Sequence, residues 1–452
     1  MTADITLRGP GDVLAVLPYQ LGYHPRSCVV AVSLRDRRVG VVARTDLPPP
    51  EHAGTVVDAL VGPLLRDGAT SVIIIGYEDE PEASQPSLLA LVESLERAGV
   101  DVVDVVVVRD GRRYSPICSE ACCPPDGVAL PDPADVPAVA ELVALGRSPL
   151  ASRDAVETLV EALPGQTQGV ADAVALRSRM PRRRRRAAVA WRLVLRPDRG
   201  ARRRRAGAGP PWRAQVVADA SVGLADIAWR DGLVAWLAPG VLPLSAVDRD
   251  VVALMLTTLP TWAGMGTVPQ PPVEPGGDAG AAAGGFGAVR RGLDDDAPAV
   301  DRDAAGRDDA APLAERDDQA IYADRDDAES TARDGPAGRR TASGGVGRPA
   351  AGRLLGSRDI VERRALLERL LVLCRSLPDE CPAEAAAVCT VTAHVAWVEG
   401  DGALARAAID RALRLVPDYR LALLLERLVD AGLRLPRRRD PGDDGTVLSR
   451  AV

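Results

Sequence analysis

Between Cys28 and Val108 the chain alternates short β-branched blocks with stretches of helical spacing. A helical stretch around Asp12–Leu17 comes first. Cys28–Leu34 and Arg38–Ala43 follow as two apolar runs joined through Asp36-Arg37, which predicts a hairpin. A helix pattern covers about His52–Arg66. Ser71–Tyr77 contains the unbroken run Val72-Ile73-Ile74-Ile75, and the lack of polar alternation predicts a strand covered on both faces. Ser87–Ala98 places Leu88, Leu91, Val92 and Leu95 at helical spacing and stops at Gly99. Val102–Val108 is the next buried strand. Strand, helix and strand of these lengths predict a parallel pair with a right-handed crossover. The N-terminal part is therefore α/β, a mixed sheet with a βαβ unit and the hairpin at one edge.

From Asp135 to Trp262 the spacing is helical. Ser152 is placed to cap a helix running to about Leu163, and Ser245-x-x-Asp248 has the form of a capping box. Trp229 and Trp236, seven residues apart, share one helix face. The pattern then fails. From about Val268 to Arg353 large apolar side chains nearly vanish, and such a composition buries too little area to offset chain entropy. A disordered spacer is expected there.

Helical spacing returns in Ile360–Leu377, Pro382–Glu399, Ala403–Val416 and Tyr419–Ala431. Across Ala386–Pro417 it resembles one tetratricopeptide repeat. Ala393 takes the small position, Gly400-Asp401 the turn, and Ala405, Ile409, Ala412 and Leu413 the packing positions of the second helix. Cys389 stands where such repeats carry a large aromatic. One repeat cannot bury its own face, so these helices must dock on the body of this chain or on a protein partner. His394 reads as a packing or surface residue. The expected organisation is an α/β domain over 1–134 and a helical region over 135–265. A spacer over 266–355, tetratricopeptide-like helices over 356–435 and a disordered tail over 436–452 complete it.

Composition narrows the classes. Aromatics supply only 3% of residues against 46% hydrophobic overall, so cores are built from Val, Leu, Ala and Ile. A net charge of −7 gives the chain no overall attraction to nucleic acid. Every basic residue is Arg, which excludes Schiff-base and P-loop lysines. No apolar run reaches membrane-spanning length and the first residues do not form a signal peptide. With seven unevenly spaced cysteines in a long chain, reduced thiols in a cytoplasm are expected.

Four groups of residues are able to carry chemistry. Cys118, Cys122 and Cys123 lie within six positions and can serve as zinc ligands with a distant fourth such as His24 or Asp126. They can equally act as a redox pair, hold a reactive thiolate, or simply pack beneath the sheet. Against joint ligation, adjacent side chains diverge in an extended chain. Arg109, Arg112, Tyr114 and Ser115 follow the carboxyl end of a buried strand, where open α/β sheets bind ligands, and guanidinium groups there suit a carboxylate or phosphate. The alternative is a solvated loop of paired charges. Tyr19, Tyr23 and His24 lie in the turn Pro18–Cys28 with polar tips; a structural turn is the competing account. Finally, thirteen arginines between Arg182 and Arg213, with Trp191 and Trp212 interspersed, form the sole nucleic-acid signal, concentrated in Arg182–Arg205. A solvated loop accounts for them too. No GxGxxG, GxxxxGK[ST], HExxH or GxSxG occurs.

Taken together the chain resembles the actinobacterial family named domain of unknown function 4192. The resemblance is carried by Asp12-Val13-Leu14 with Pro18–Tyr23, by Ala43–Leu47, and by Arg109–Arg112 with Tyr114-Ser115. Cys118, Cys122-Cys123-Pro124, Gly146–Leu150 with Ser152-Arg153, Arg230-Asp231, and Gly400–Ala405 through Pro417–Tyr419 complete it. It implies a cytoplasmic actinobacterial protein and supplies no activity, ligand or catalytic residue. Without a complete catalytic set, the residues favour a protein-partner or small-ligand binding (adaptor) protein. A metal, redox or enzymatic centre at the cysteines, and nucleic-acid binding at the arginines, are the alternatives.

Overall fold

The computed structural model describes residues 7–35, 38–118, 120, 122–196, 212–260 and 355–433. Apart from residue 355, the expected spacer 266–355 and tail 436–452 lie outside them, as do Arg202–Arg205. The strands are β1 (Cys28–Arg35), β2 (Arg38–Asp46), β3 (Ser71–Tyr77), β4 (Asp101–Arg109), β5 (Arg112–Tyr114) and β6 (Val128–Ala129). They form one mixed six-stranded sheet in the order β2-β1-β3-β4-β5-β6. Among these six strands only β3 and β4 pair in parallel, across the helix α3 (Gln85–Arg97). The hairpin strand β2 is an edge, as the pattern predicts.

The unbroken apolar runs follow from cover on both faces. Val30, Val32, Ile73, Ile75, Val106 and Val108 pack against α1 (Pro10–Leu21) and α4 (Pro137–Ala144). Their alternates Val29, Ala31, Val72, Ile74, Val105 and Val107 pack against α2 (Gly54–Arg66) and α3. The result is three layers, helix on sheet on helix.

The helical body continues with α5 (Arg153–Glu157), α6 (Pro164–Thr167), α7 (Val170–Ser178), α8 (Arg183–Leu195), α9 (Ala214–Val222), α10 (Ile227–Leu237) and α11 (Arg249–Thr258). Three expectations need correction. Ser152 does cap α5, accepting from the Ala155 amide, but the helix ends at Glu157 instead of reaching Leu163. Two backbone carbonyls just beyond it accept from arginines, Leu159 from Arg375 and Val160 from Arg411, and Pro164 disfavours helix at the residue before it. At Ser245-x-x-Asp248 the cap of α11 is Asp248 itself, whose Oδ1 accepts from Asp250 and Val251; Ser245 sits in the preceding turn. Trp191 cannot stack on bases, because it is fully buried and its Nε1 donates to the Ala220 carbonyl. Of the neighbouring arginines, Arg184 pairs with Asp226 and Arg186 with Asp219.

The C-terminal helices are α12 (Leu355–Arg375), α13 (Pro382–Val398), α14 (Gly402–Leu415) and α15 (Arg420–Asp430). Pro382 opens α13 from its first position, where a missing N–H costs nothing. The repeat-like pair α13–α14 buries its apolar face in the same core as Trp191, Trp229 and Trp236. The chain itself supplies the cover that one repeat lacks, and the described residues on both sides of the spacer make one compact unit. Arg411 of α14 closes the seam. Its fully buried guanidinium donates to the Val160, Cys374 (2.9 Å) and Leu377 (2.8 Å) carbonyls and to Asp379 (2.8 Å).

Two outcomes are expected. A protease site placed within residues 269–352 and then cut should leave two fragments that co-elute on gel filtration; separation would show that the buried seam does not hold them. Arg411→Met, which strands those carbonyls, should lower stability by roughly 3–5 kcal/mol in urea titrations. His394 is buried in α13, its Nδ1 2.8 Å from the Thr390 carbonyl, and burial pushes its pKa down to about 4. Because the unfolded chain protonates this group near about 6.5, the unfolded state holds the extra proton between those values. Stability should therefore fall as pH drops through that window, by about 3 kcal/mol, and His394→Gln should remove this part of the slope.

Candidate functional site

Helix α1 ends on Gly22, whose φ of 82° is open to glycine at little cost and lets its amide donate back to the Pro18 carbonyl. The chain then runs beside Leu150: the Leu150 amide donates to Gly22 (2.8 Å) and the His24 amide donates to Leu150 (3.0 Å). This short parallel pairing sets the Tyr23–Ser27 turn opposite the start of α5. The end of β2 supplies Arg44 and Asp46 between them. Together they enclose a polar cleft of about 480 Å³, lined by Tyr23, His24, Ser27, Arg44, Asp46 and Arg153 among others.

Charges in the cleft are balanced and shared. Asp46 bridges Arg44 (2.5 Å) and Arg153 (3.1 Å), and Arg153 also reaches Glu157 and, on α14, Asp410. One donor remains unused. The Arg44 Nε is buried without an acceptor. Tyr23, which also lines the cleft, is only 4% exposed. Burial raises the pKa of the Tyr23 hydroxyl and of the adjacent Cys28 thiol, while the Arg44 guanidinium opposes both shifts. The cleft hydroxyls are committed: Ser27 Oγ donates to Asp79 (2.5 Å), and Ser152 Oγ accepts from the Ala155 amide.

The other predicted residues gather elsewhere. At the carboxyl ends of β3 and β4, buried Glu78 accepts from the Ser84 amide (2.9 Å), Ser84 Oγ (2.7 Å), the Glu82 amide (3.2 Å) and Arg109 Nη1 (2.7 Å). The Arg109 guanidinium also lies 4.6 Å from the Tyr114 ring centroid, a cation–π contact. Arg112 donates to the Asp126 (2.6 Å) and Gly127 (2.8 Å) carbonyls, bracing the loop that carries Cys118, Cys122 and Cys123. Ser115 Oγ is buried without a partner, and Tyr19 packs on the α1 side of the sheet. Of the predicted residues, Tyr23 and His24 line the cleft; Tyr19, Arg109, Arg112, Tyr114, Ser115 and the three cysteines do not.

Strands β5 and β6 are absent from the sequence reading. Asp110-Gly111 turns β4 into β5 with positive φ at both residues (51° and 70°), and this Asp-Gly pair is a hairpin signal that predicts the strand. Ser27, Arg44, Asp46 and Arg153 are likewise missed as cleft residues, although each falls in or beside a segment that carries the family resemblance.

The matched family covers both halves of this arrangement. Residues 10–257 and 286–435 match the family model described as Domain of unknown function (DUF4192). The chain belongs to this family. Neither a curated protein nor a solved structure matches it. The DUF4192 match takes in the cleft, the cysteine loop and, in its second segment, the helices that bury Arg411. Among the described residues no helix is long and apolar enough to cross a membrane.

Glu78 organises the carboxyl edge, so its loss should be felt in folding. Glu78→Ala leaves the Arg109 guanidinium and the Ser84 groups unpaired and should lower the unfolding free energy by roughly 3 kcal/mol in chemical denaturation. An unchanged midpoint would show that Arg109 re-pairs with solvent.

Proposed function

We propose that this DUF4192 protein is a small-ligand binding protein whose site is the cleft between the Tyr23–Ser27 turn, the end of β2 and the start of α5. The observation that carries this reading is an unused donor among the lining residues, the buried Nε of Arg44. It is an N–H of a guanidinium, so the complementary partner is an acceptor oxygen such as that of a carboxylate or phosphate. Buried donors left without partners are costly, and a ligand oxygen relieves that cost.

Binding suits the cleft better than catalysis. Its serine hydroxyls are engaged in structural bonds, so no nucleophile stands free beside His24. The C-terminal helices serve this reading by closing the seam and by presenting Asp410 to Arg153.

Thermal-shift titrations of the full chain with phosphate, succinate and glutamate test the proposal. At least one anion should raise the melting temperature saturably, approaching about 2.7 kcal/mol of stabilisation at a hundredfold excess over its dissociation constant. Arg44→Lys, which removes the Nε donor while keeping the charge, and Arg153→Ala should weaken that response. Equal shifts in wild type and both variants, or none with any probe, would refute it.

A further inference from the structure

Away from the cleft, the loop between β5 and β6 brings three thiols together. The Sγ atoms of Cys118, Cys122 and Cys123 all lie within 4.8 Å of one another, with Cys118 and Cys122 at 3.9 Å. In a tetrahedral zinc–thiolate site, metal–sulfur bonds of about 2.3 Å place the sulfurs roughly 3.8 Å apart. The cluster is already close to that spacing, and all three are free thiols.

Backbone geometry explains how neighbouring cysteines converge. The Cys123 amide donates to the Glu120 carbonyl (2.8 Å), so the chain turns at this point and adjacent side chains do not diverge as they would in an extended strand. The Glu120 amide in turn donates to Cys118 Sγ, two residues back, which favours the thiolate and lowers the Cys118 pKa. Cys123, crowded by its two neighbours after the burial effect, is pushed up to about 11.

The loop is held from below by side chains that take no part in the cluster. Arg112 grips the Asp126 and Gly127 carbonyls. Gly127 has φ 70°, and a Cβ there would stand 2.7 Å from the Tyr114 ring and 2.9 Å from the Arg113 carbonyl, so glycine is required to close the frame. The thiols themselves are half-exposed or exposed, open to an ion from solvent.

From this we infer that Cys118, Cys122 and Cys123 form a three-thiolate site for a thiophilic, tetrahedral-preferring divalent ion of the zinc class. Thiolate donors select such ions over magnesium or calcium. No fourth His, Asp or Glu of the described residues joins the cluster, so the remaining position falls to water or an added donor, the open type of zinc site. The site is independent of the cleft, and either can fail without the other.

The test uses the full chain, reduced and stripped with a chelator, then titrated with Co2+ and afterwards Zn2+. One equivalent of Co2+ should give tetrahedral d–d and thiolate charge-transfer bands, bleached by Zn2+. Alkylation with mass-spectrometric readout should find Cys118, Cys122 and Cys123 protected by Zn2+ and released by chelator, with Cys28, Cys374, Cys381 and Cys389 labelling equally in both states. Cys122→Ser and Cys123→Ser should each weaken Zn2+ binding by more than about tenfold. Absence of a thiolate charge-transfer band, absence of protection, or unchanged affinity in the serine variants would overturn the assignment. Should the variants misfold by circular dichroism, the protection pattern of the wild-type chain decides alone.

Discussion

A single buried guanidinium sits at the seam where the two halves of this chain meet and fixes how they fit. Arg411 is fully buried, and taking its charge out of water is costly unless every donor finds an acceptor. The two Nη groups of the planar fork meet most of that demand with carbonyls from Val160 on one side of the spacer and Cys374 and Leu377 on the other; Asp379 balances the charge, and the Nε, which has no hydrogen bond, lies 3.8 Å from Glu161. A lysine ammonium could not reach so many directions at once. Around it, Arg375 donates to the Leu159 carbonyl, the Leu163 amide donates to the Arg375 carbonyl, and Arg414 pairs with Glu161. These polar bonds orient a seam whose stabilisation comes from apolar burial; Trp191, Trp229 and Trp236 share one core with α12, α13 and α14.

The seam also shapes the cleft. Carbonyls that would have continued α5 are turned to the arginines of α12 and α14, so the helix stays short and its Arg153 faces the end of β2. Asp410, the neighbour of Arg411 in sequence, completes the ring of carboxylates about Arg153. On the adjoining surface, Asp401 caps α14 through the Leu404 amide, close to Gly22 at the end of α1. Burial raises the Asp401 pKa, and Arg147 and Arg364 work against that rise. The wall of the cleft thus depends on residues more than two hundred positions apart.

The two candidate sites occupy different parts of the sheet. The cleft lies by the start of β1 and the end of β2, and the cysteine loop joins β5 to β6 at the opposite edge. Contacts between them run along the carboxyl ends of the central strands, from Ser27 to Asp79, from Glu78 to Arg109, and from Arg109 to the Tyr114 ring. Arg109, which position alone suggests as a ligand contact, is spent on that chain of structural interactions.

Local pattern was sufficient for the four long strands β1 to β4 and for the helices that pack on them, because burial on two faces leaves an unbroken apolar run and a helix against a core leaves its own period. Ser71–Tyr77 and the openings of α13 and α14 could be read that way, and so could the need for the repeat-like pair to be covered. Pro and Gly marked the ends for steric reasons that hold in any context. What the sequence could not state was which carbonyls would be claimed from afar, and so it overran α5 and missed the role of Arg411. Nor could it place Arg44 and Arg153 beside Tyr23 while sending Arg109 and the cysteines elsewhere. Side-chain chemistry is written residue by residue, but a site exists only where distant segments meet, and that meeting is decided by the burial and hydrogen bonding of the whole fold.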